Sequence, residues 1–75
     1  MFEKEIKELQ KISRKINMLK NAKENIVNRI DIFSRERGLT LDELNKTKTY
    51  KKEIKKYEEM LKYIQDTINL LKEND

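Results

Sequence analysis

A cluster of lysines is the part of the sequence with the clearest capacity for binding chemistry. Lys48, Lys52 and Lys56 are spaced four residues apart, and so are Lys51 and Lys55. On a helix this spacing brings like charges together, at a cost of about 0.2–0.5 kcal/mol for each pair. The pattern is typical of a solvated lysine-rich face, and also of a patch that binds phosphates or an acidic protein surface. Both interpretations stay open from the sequence.

The excess positive charge is confined to the middle of the chain. Residues 29–56 contain nine Lys or Arg and five Asp or Glu, whereas the remaining residues contain nine of each. The net charge of +4 therefore belongs to this segment. We call its candidate partner-binding residues the basic tip: Arg35, Arg37, Lys48, Lys51, Lys52, Lys55 and Lys56.

Residues that could catalyse a reaction are scarce. The chain has no histidine and no cysteine, which removes the commonest acid–base group and the usual nitrogen and sulfur metal ligands. Ser13 and Ser34 therefore have no histidine to activate them as nucleophiles. The positions expected to face inward carry no carboxylate. We expect no enzyme activity, no cofactor and no metal site.

The elements that position these side chains follow from a single break. Gly38 is the only glycine and proline is absent, so the chain divides into two nearly equal arms. Gly38 suits a left-handed residue just beyond a helix, and Thr40 with Glu43 predicts a capping box. The predicted elements of this single domain, 1–75, are a helix at about 2–36, a turn at about 37–40 and a helix at about 41–73. A turn this short makes the two helices antiparallel.

Apolar residues recur at seven-residue intervals in both arms. In the first arm the a series is Phe2, Leu9, Ile16, Lys23 and Ile30, and the d series is Ile12, Leu19, Ile26 and Phe33. In the second arm the two series are Thr47, Ile54, Leu61 and Ile68, and Tyr50, Tyr57, Ile64 and Leu71. The pattern predicts an all-α, antiparallel two-helix hairpin of the coiled-coil type, with both series of each helix facing the other. Residues whose numbers sum to 76 or 77, such as Leu9 and Ile68, should then lie side by side.

Two features predict association beyond the hairpin. Met18, Val27 and Ile32 lie outside the a and d series, which favours a widened apolar face that receives another helix. Lys23 is polar at a core position, so it either reaches solvent along its own length or sets the register and oligomeric state. Because a core this small rarely supplies more than about 3–5 kcal/mol, we expect homo-oligomers, most simply a dimer that forms a four-helix bundle.

These observations favour a non-enzymatic protein–protein interaction module that acts by helix packing. The alternative is a nucleic-acid-binding hairpin that uses its basic tip. Fourteen lysines against four arginines, with nine isoleucines, resemble the usage of AT-rich bacterial or phage genomes, so we expect a small regulator, inhibitor or adaptor of that type. No apolar run is long enough to cross a bilayer, and we therefore expect no membrane partner and a cytoplasmic location, the host cytoplasm for a phage protein.

Overall fold

The computed structural model describes residues 1–74, which form two long helices. Helix α1 comprises Glu3–Arg37 and helix α2 comprises Leu41–Glu73. The two helices pack antiparallel into a rod of 56 × 14 × 13 Å. The predicted all-α helical hairpin is confirmed, and each helix begins and ends within one residue of its predicted bounds.

The turn between the helices depends on the one glycine. Gly38 has φ 83° and ψ 142°, a combination that is close to a region of backbone space populated almost only by glycine. An added Cβ atom would meet nothing within 4 Å, so the need for glycine is conformational. The positive φ was predicted, but the extended ψ differs from the value near +47° of the left-handed helical region. The chain therefore leaves α1 in an extended direction.

A hydrogen-bonded cluster fastens the start of α2 to the end of α1. The Thr40 hydroxyl accepts from the Glu43 backbone N–H at 3.3 Å, and Glu43 Oε2 accepts from the Thr40 N–H at 3.5 Å. This is the predicted capping box. The same Oε2 accepts from the buried Ser34 hydroxyl at 3.3 Å, and the Glu43 carbonyl accepts from the buried Thr47 hydroxyl at 3.0 Å. We call Ser34, Thr40, Glu43 and Thr47 the tip lock.

The face that α2 presents to α1 is the predicted one, but the face of α1 is not. The two α2 series are all buried or half-buried, and so is the a series of α1. The second inward series of α1, however, consists of Ile6, Ser13, Lys20, Val27 and Ser34. The predicted d series, Ile12, Leu19, Ile26 and Phe33, is between 39% and 53% exposed. The prediction that this d series faces α2 is therefore wrong, and α1 is rotated by about 50° from the expected position, at 100° per residue.

Polar contacts across the hairpin give a physical reason for the rotation. Lys23 Nζ lies 2.7 Å from Glu53 Oε2, and Lys20 Nζ lies 3.4 Å from Glu58 Oε1. The Lys20 contact and the bond from Ser34 to Glu43 need residues of α1 that a d-facing arrangement would turn outward, whereas Lys23 belongs to the a series and faces α2 in both arrangements. Their residue numbers sum to 76–78, so the predicted alignment along the rod is retained.

The core of the rotated hairpin is thin. Within residues 1–74, only Val27, Ile64 and Ile68 are apolar side chains that are buried. Two further buried residues, Ser34 and Thr47, are small and polar. The larger apolar side chains of α1 have consequently been left at the surface, where they are available to another chain.

Candidate functional site

A continuous apolar stripe runs along the outside of α1. It consists of the exposed d series: Ile12, Leu19, Ile26 and Phe33. Because the members are seven residues apart they share one side of the helix. At 1.5 Å per residue the stripe is about 32 Å long.

Side chains of α2 extend this stripe into a broader surface. Met60 and Tyr63 are exposed, and they line an open groove of about 460 Å³ together with Ile16 and Ile64. A second groove of about 390 Å³ lies further toward the turn, where three charged side chains share its lining with Phe33, Ile30 and Tyr50. By heptad position, both grooves lie on the same side of the hairpin as the stripe. We call this surface the apolar flank: Ile12, Leu19, Ile26, Phe33, Met60 and Tyr63.

The predicted face through Met18, Val27 and Ile32 does not exist as one surface. Val27 is only 5% exposed because it packs between the helices, so its assignment to a partner-binding face is wrong. Met18 and Ile32 are exposed. By heptad position, they lie on the side of α1 that points away from α2. The rotation of α1 explains both results, because it brings Val27 into the interior and carries the d series out.

The lysines of the basic tip are exposed and occupy one arc of about 140° on the outer side of α2, at 100° per residue. Lys51 and Lys55 line a groove beside Val27 and Glu58, whereas Lys56 lines the groove that contains Met60 on the opposite side of the rod. Lys48 and Lys52 are exposed on the outer surface of α2. The positive charge of α2 therefore forms one broad outer face whose edges reach both grooves.

The arginines of the basic tip adjoin the apolar flank. Arg35 and Arg37 are exposed in the last turn of α1. The guanidinium carbon of Arg37 lies 4.7 Å from the centre of the Phe33 ring, within the range of a cation–π contact. At its end nearest the turn, the apolar flank therefore contacts the positive charge of Arg37.

Lys23 is held within the hairpin by a polar cluster. Its ammonium group contacts Glu53 Oε2 at 2.7 Å and lies 4.9 Å from the centre of the Tyr50 ring. No other described residue hydrogen-bonds to that buried carboxylate oxygen. Hydrogen bonding to Glu53 raises the pKa of Lys23, and this effect outweighs the opposing one of burial. The lysine is therefore paired across the hairpin, which neither interpretation of its position had anticipated.

This pairing predicts that Lys23→Met lowers the stability of the hairpin at neutral pH, because Glu53 Oε2 loses its cation. Since the folded state raises the pKa of Lys23, the contribution of the pair should be fully present below the ordinary value of 10.5 and lost as the pH rises through the raised value. Urea denaturation of both proteins across that range measures the difference. Lys7→Met, at an exposed position of α1, is the control. A Lys23→Met variant as stable as the wild type at neutral pH would contradict the pairing.

The residues that sequence reasoning missed are those of the second inward series of α1. Ser13, Lys20 and Ser34 are polar, so a search for apolar repeats passes over them. A usable signal was present in the charges: Lys20 stands opposite Glu58 once the helices are aligned. Complementary charges across a predicted hairpin can thus select between two possible rotations of a helix.

Comparisons with known proteins add no further assignment. The chain matches no protein-family model, no curated protein and no solved structure. Within residues 1–74, neither helix is apolar enough over a sufficient length to span a bilayer.

Proposed function

We propose that this chain is a non-enzymatic protein-interaction module that binds its partner by helix packing through the apolar flank. The observation that supports the proposal is that a complete heptad series, Ile12, Leu19, Ile26 and Phe33, is exposed. The two helices of the hairpin already pack against each other through other residues. In this role it would act as a small regulator, inhibitor or adaptor of a bacterial or phage type.

The energetics of the apolar flank support this role. Full burial of a large apolar side chain contributes about 1.5–3 kcal/mol. Because the stripe residues are about half exposed, covering each would contribute on the order of 1 kcal/mol. A regular series at seven-residue intervals is also the pattern that one helix presents to another. A partner helix packed along the apolar flank could therefore contact the stripe over most of the length of the stripe.

Nucleic-acid binding is the second candidate, and the location of the charge favours it. The whole excess of +4 belongs to residues 29–56, and the side chains of the basic tip are exposed. Such a segment attracts phosphates, and its affinity would fall steeply as the salt concentration rises. The five lysines of the basic tip lie on one broad face of α2, where they could contact successive phosphates.

Capture from a lysate of the source cell separates the two functions. The bait is the immobilised chain as wild type, as Leu19→Glu and as Lys52→Glu/Lys56→Glu. We expect a specific protein to be recovered with the wild type and with the lysine variant, and to be lost with Leu19→Glu because a charge then interrupts the apolar stripe. Mass spectrometry and nuclease treatment identify what has been bound.

Two matched controls make the comparison specific. Asn17→Glu adds the same charge at an exposed position off the stripe, and Lys7→Glu/Lys11→Glu reverses two exposed lysines with the same four-residue spacing at the open end. Recovery of nucleic acid that is abolished only by Lys52→Glu/Lys56→Glu would replace the proposed function with the second candidate.

A further inference from the structure

We propose that the occupant of the apolar flank is a second copy of this chain, packed antiparallel to the first so that two hairpins form a four-helix bundle. This inference rests on the proposed function, because it names the partner of the same surface. Three features of the hairpin support it: its surface area, the spacing of its stripe and the position of its charge.

The surface area of one hairpin is too large for a protein of its mass. The described chain exposes 6355 Å², whereas a compact monomer of 9.2 kDa exposes about 4,900 Å². The excess is about 1,400 Å², and stable protein interfaces bury about 800 Å² or more on each partner. A dimer that buries about 800 Å² on each chain would therefore remove more than half of this excess.

The apolar stripe is complementary to itself when it is reversed. Its four members are evenly spaced about a point beside Ala22, so an antiparallel copy places Ile12 against Phe33 and Leu19 against Ile26. Each of these contacts then occurs twice, once from each copy, as two-fold symmetry requires. The small side chain of Ala22 lies next to that axis, where it leaves room for the two copies of α1 to approach each other.

The charge distribution selects the antiparallel arrangement over the parallel one. Parallel hairpins would bring the two segments of +4 side by side along their whole length, whereas antiparallel hairpins place them in opposite halves of the bundle, where they meet only near the axis at residues 51–56. The same alignment sets Glu53 opposite Lys56 of the second copy. It also sets Lys15 beside Arg29 of the second copy, at the same heptad position as Ala22, and this repulsion opposes the dimer at low salt.

Sedimentation equilibrium tests the dimer directly. The wild type should have twice the chain mass of 9.2 kDa, and its melting temperature should rise with concentration. Leu19→Glu should shift the mass to that of one chain, and Asn17→Glu should remain a dimer. A dimer that is unaffected by Leu19→Glu would overturn the placement of the interface.

A single spin label tests the direction of packing, and the absence of natural cysteine makes it specific. With Leu41→Cys, at the start of α2, an antiparallel dimer places the two labels about 40 Å apart, at 1.5 Å per residue from the axis. A parallel dimer would place them about 10–20 Å apart, or one to two helix spacings, and would overturn the antiparallel arrangement. A wild type that stays monomeric at its highest soluble concentration would overturn the dimer itself. The proposed function would still stand if Leu19→Glu abolished capture of another protein, and would fail as well if that variant changed nothing.

Discussion

Replacing Val27 with aspartate should unfold the hairpin, whereas the same replacement at Ile26 should leave the two helices packed. Val27 is 5% exposed between the helices and Ile26 is 39% exposed on the apolar flank. A charge without a partner at the buried position should cost at least about 3 kcal/mol, comparable with the loss of one member of a buried ion pair. That is most of what a core of this size supplies. Circular dichroism and urea denaturation measure the difference.

Neighbouring positions offer a close control for this experiment. Both substitutions replace a β-branched residue with aspartate in the middle of α1, so the loss of helix propensity is similar. Asn28→Asp introduces the same side chain at an adjacent exposed position and should change stability little. If Ile26→Asp unfolded the protein and Val27→Asp did not, the d series would face α2 and the rotation of α1 would be incorrect.

Glu43→Ala should give the second large effect, a loss of about 2 kcal/mol of unfolding free energy. The substitution removes the acceptor for the Thr40 N–H and for the Ser34 hydroxyl. Water can replace the first bond because that contact is exposed, but Ser34 is buried and its hydroxyl would lose its partner. Leaving a buried donor unsatisfied costs about 1–3 kcal/mol, and loss of the capping interaction adds to it.

Two substitutions separate hydrogen bonding from charge in the tip lock. Glu43→Gln keeps an acceptor oxygen at the same place and should retain most of the stability. Asp42→Ala removes a neighbouring acidic side chain from the first turn of α2, so it measures the favourable effect of negative charge at a helix N-terminus. Thermal or urea denaturation of the three variants gives the comparison. Equal losses for Glu43→Ala and Asp42→Ala would mean that the hydrogen bonds contribute nothing.

The sequence was sufficient for the hairpin because its strongest signals are local. Gly38 interrupts two long heptad patterns, and Thr40 with Glu43 marks where the second helix begins. These signals depend on neighbouring residues, and the structure has confirmed each of them. They determine where the helices begin and end, and the short turn determines that the helices are antiparallel.

The rotation of α1 was not predictable from the apolar repeat alone. Both the d series and the series through Val27 adjoin the a series, so either could face α2. The more apolar series was expected inside, yet contacts of Lys20 and Ser34 with α2 accompany the opposite choice. Such contacts become visible only after a partner helix has been placed. The error placed Val27 on the candidate surface although it lies in the core, and it placed the exposed d series in the interior.

The basic tip illustrates a second limit of sequence spacing. Lys48, Lys52 and Lys56 are close along the chain, but successive steps of four residues advance around a helix by about 40° each. With Lys51 and Lys55 interleaved, the group therefore covers an arc of about 140° on the side of α2 that points away from α1. Counting charges located the positive end of the molecule correctly, whereas the faces that carry those charges depend on which side of α2 meets α1.

The location of the tip lock sets the order in which the hairpin folds. Ser34 and Glu43 are nine residues apart, whereas Lys20 and Glu58 are 38 apart. Closing the longer loop directly would cost about 1.3 kcal/mol more in chain entropy. The helices should therefore associate first at the turn and then zip toward the chain termini, with each contact shortening the loop for the next. The termini are the last part to join and the first to separate. A partner bound near Ile12 would therefore hold the two helices together at the end of the hairpin that separates most often.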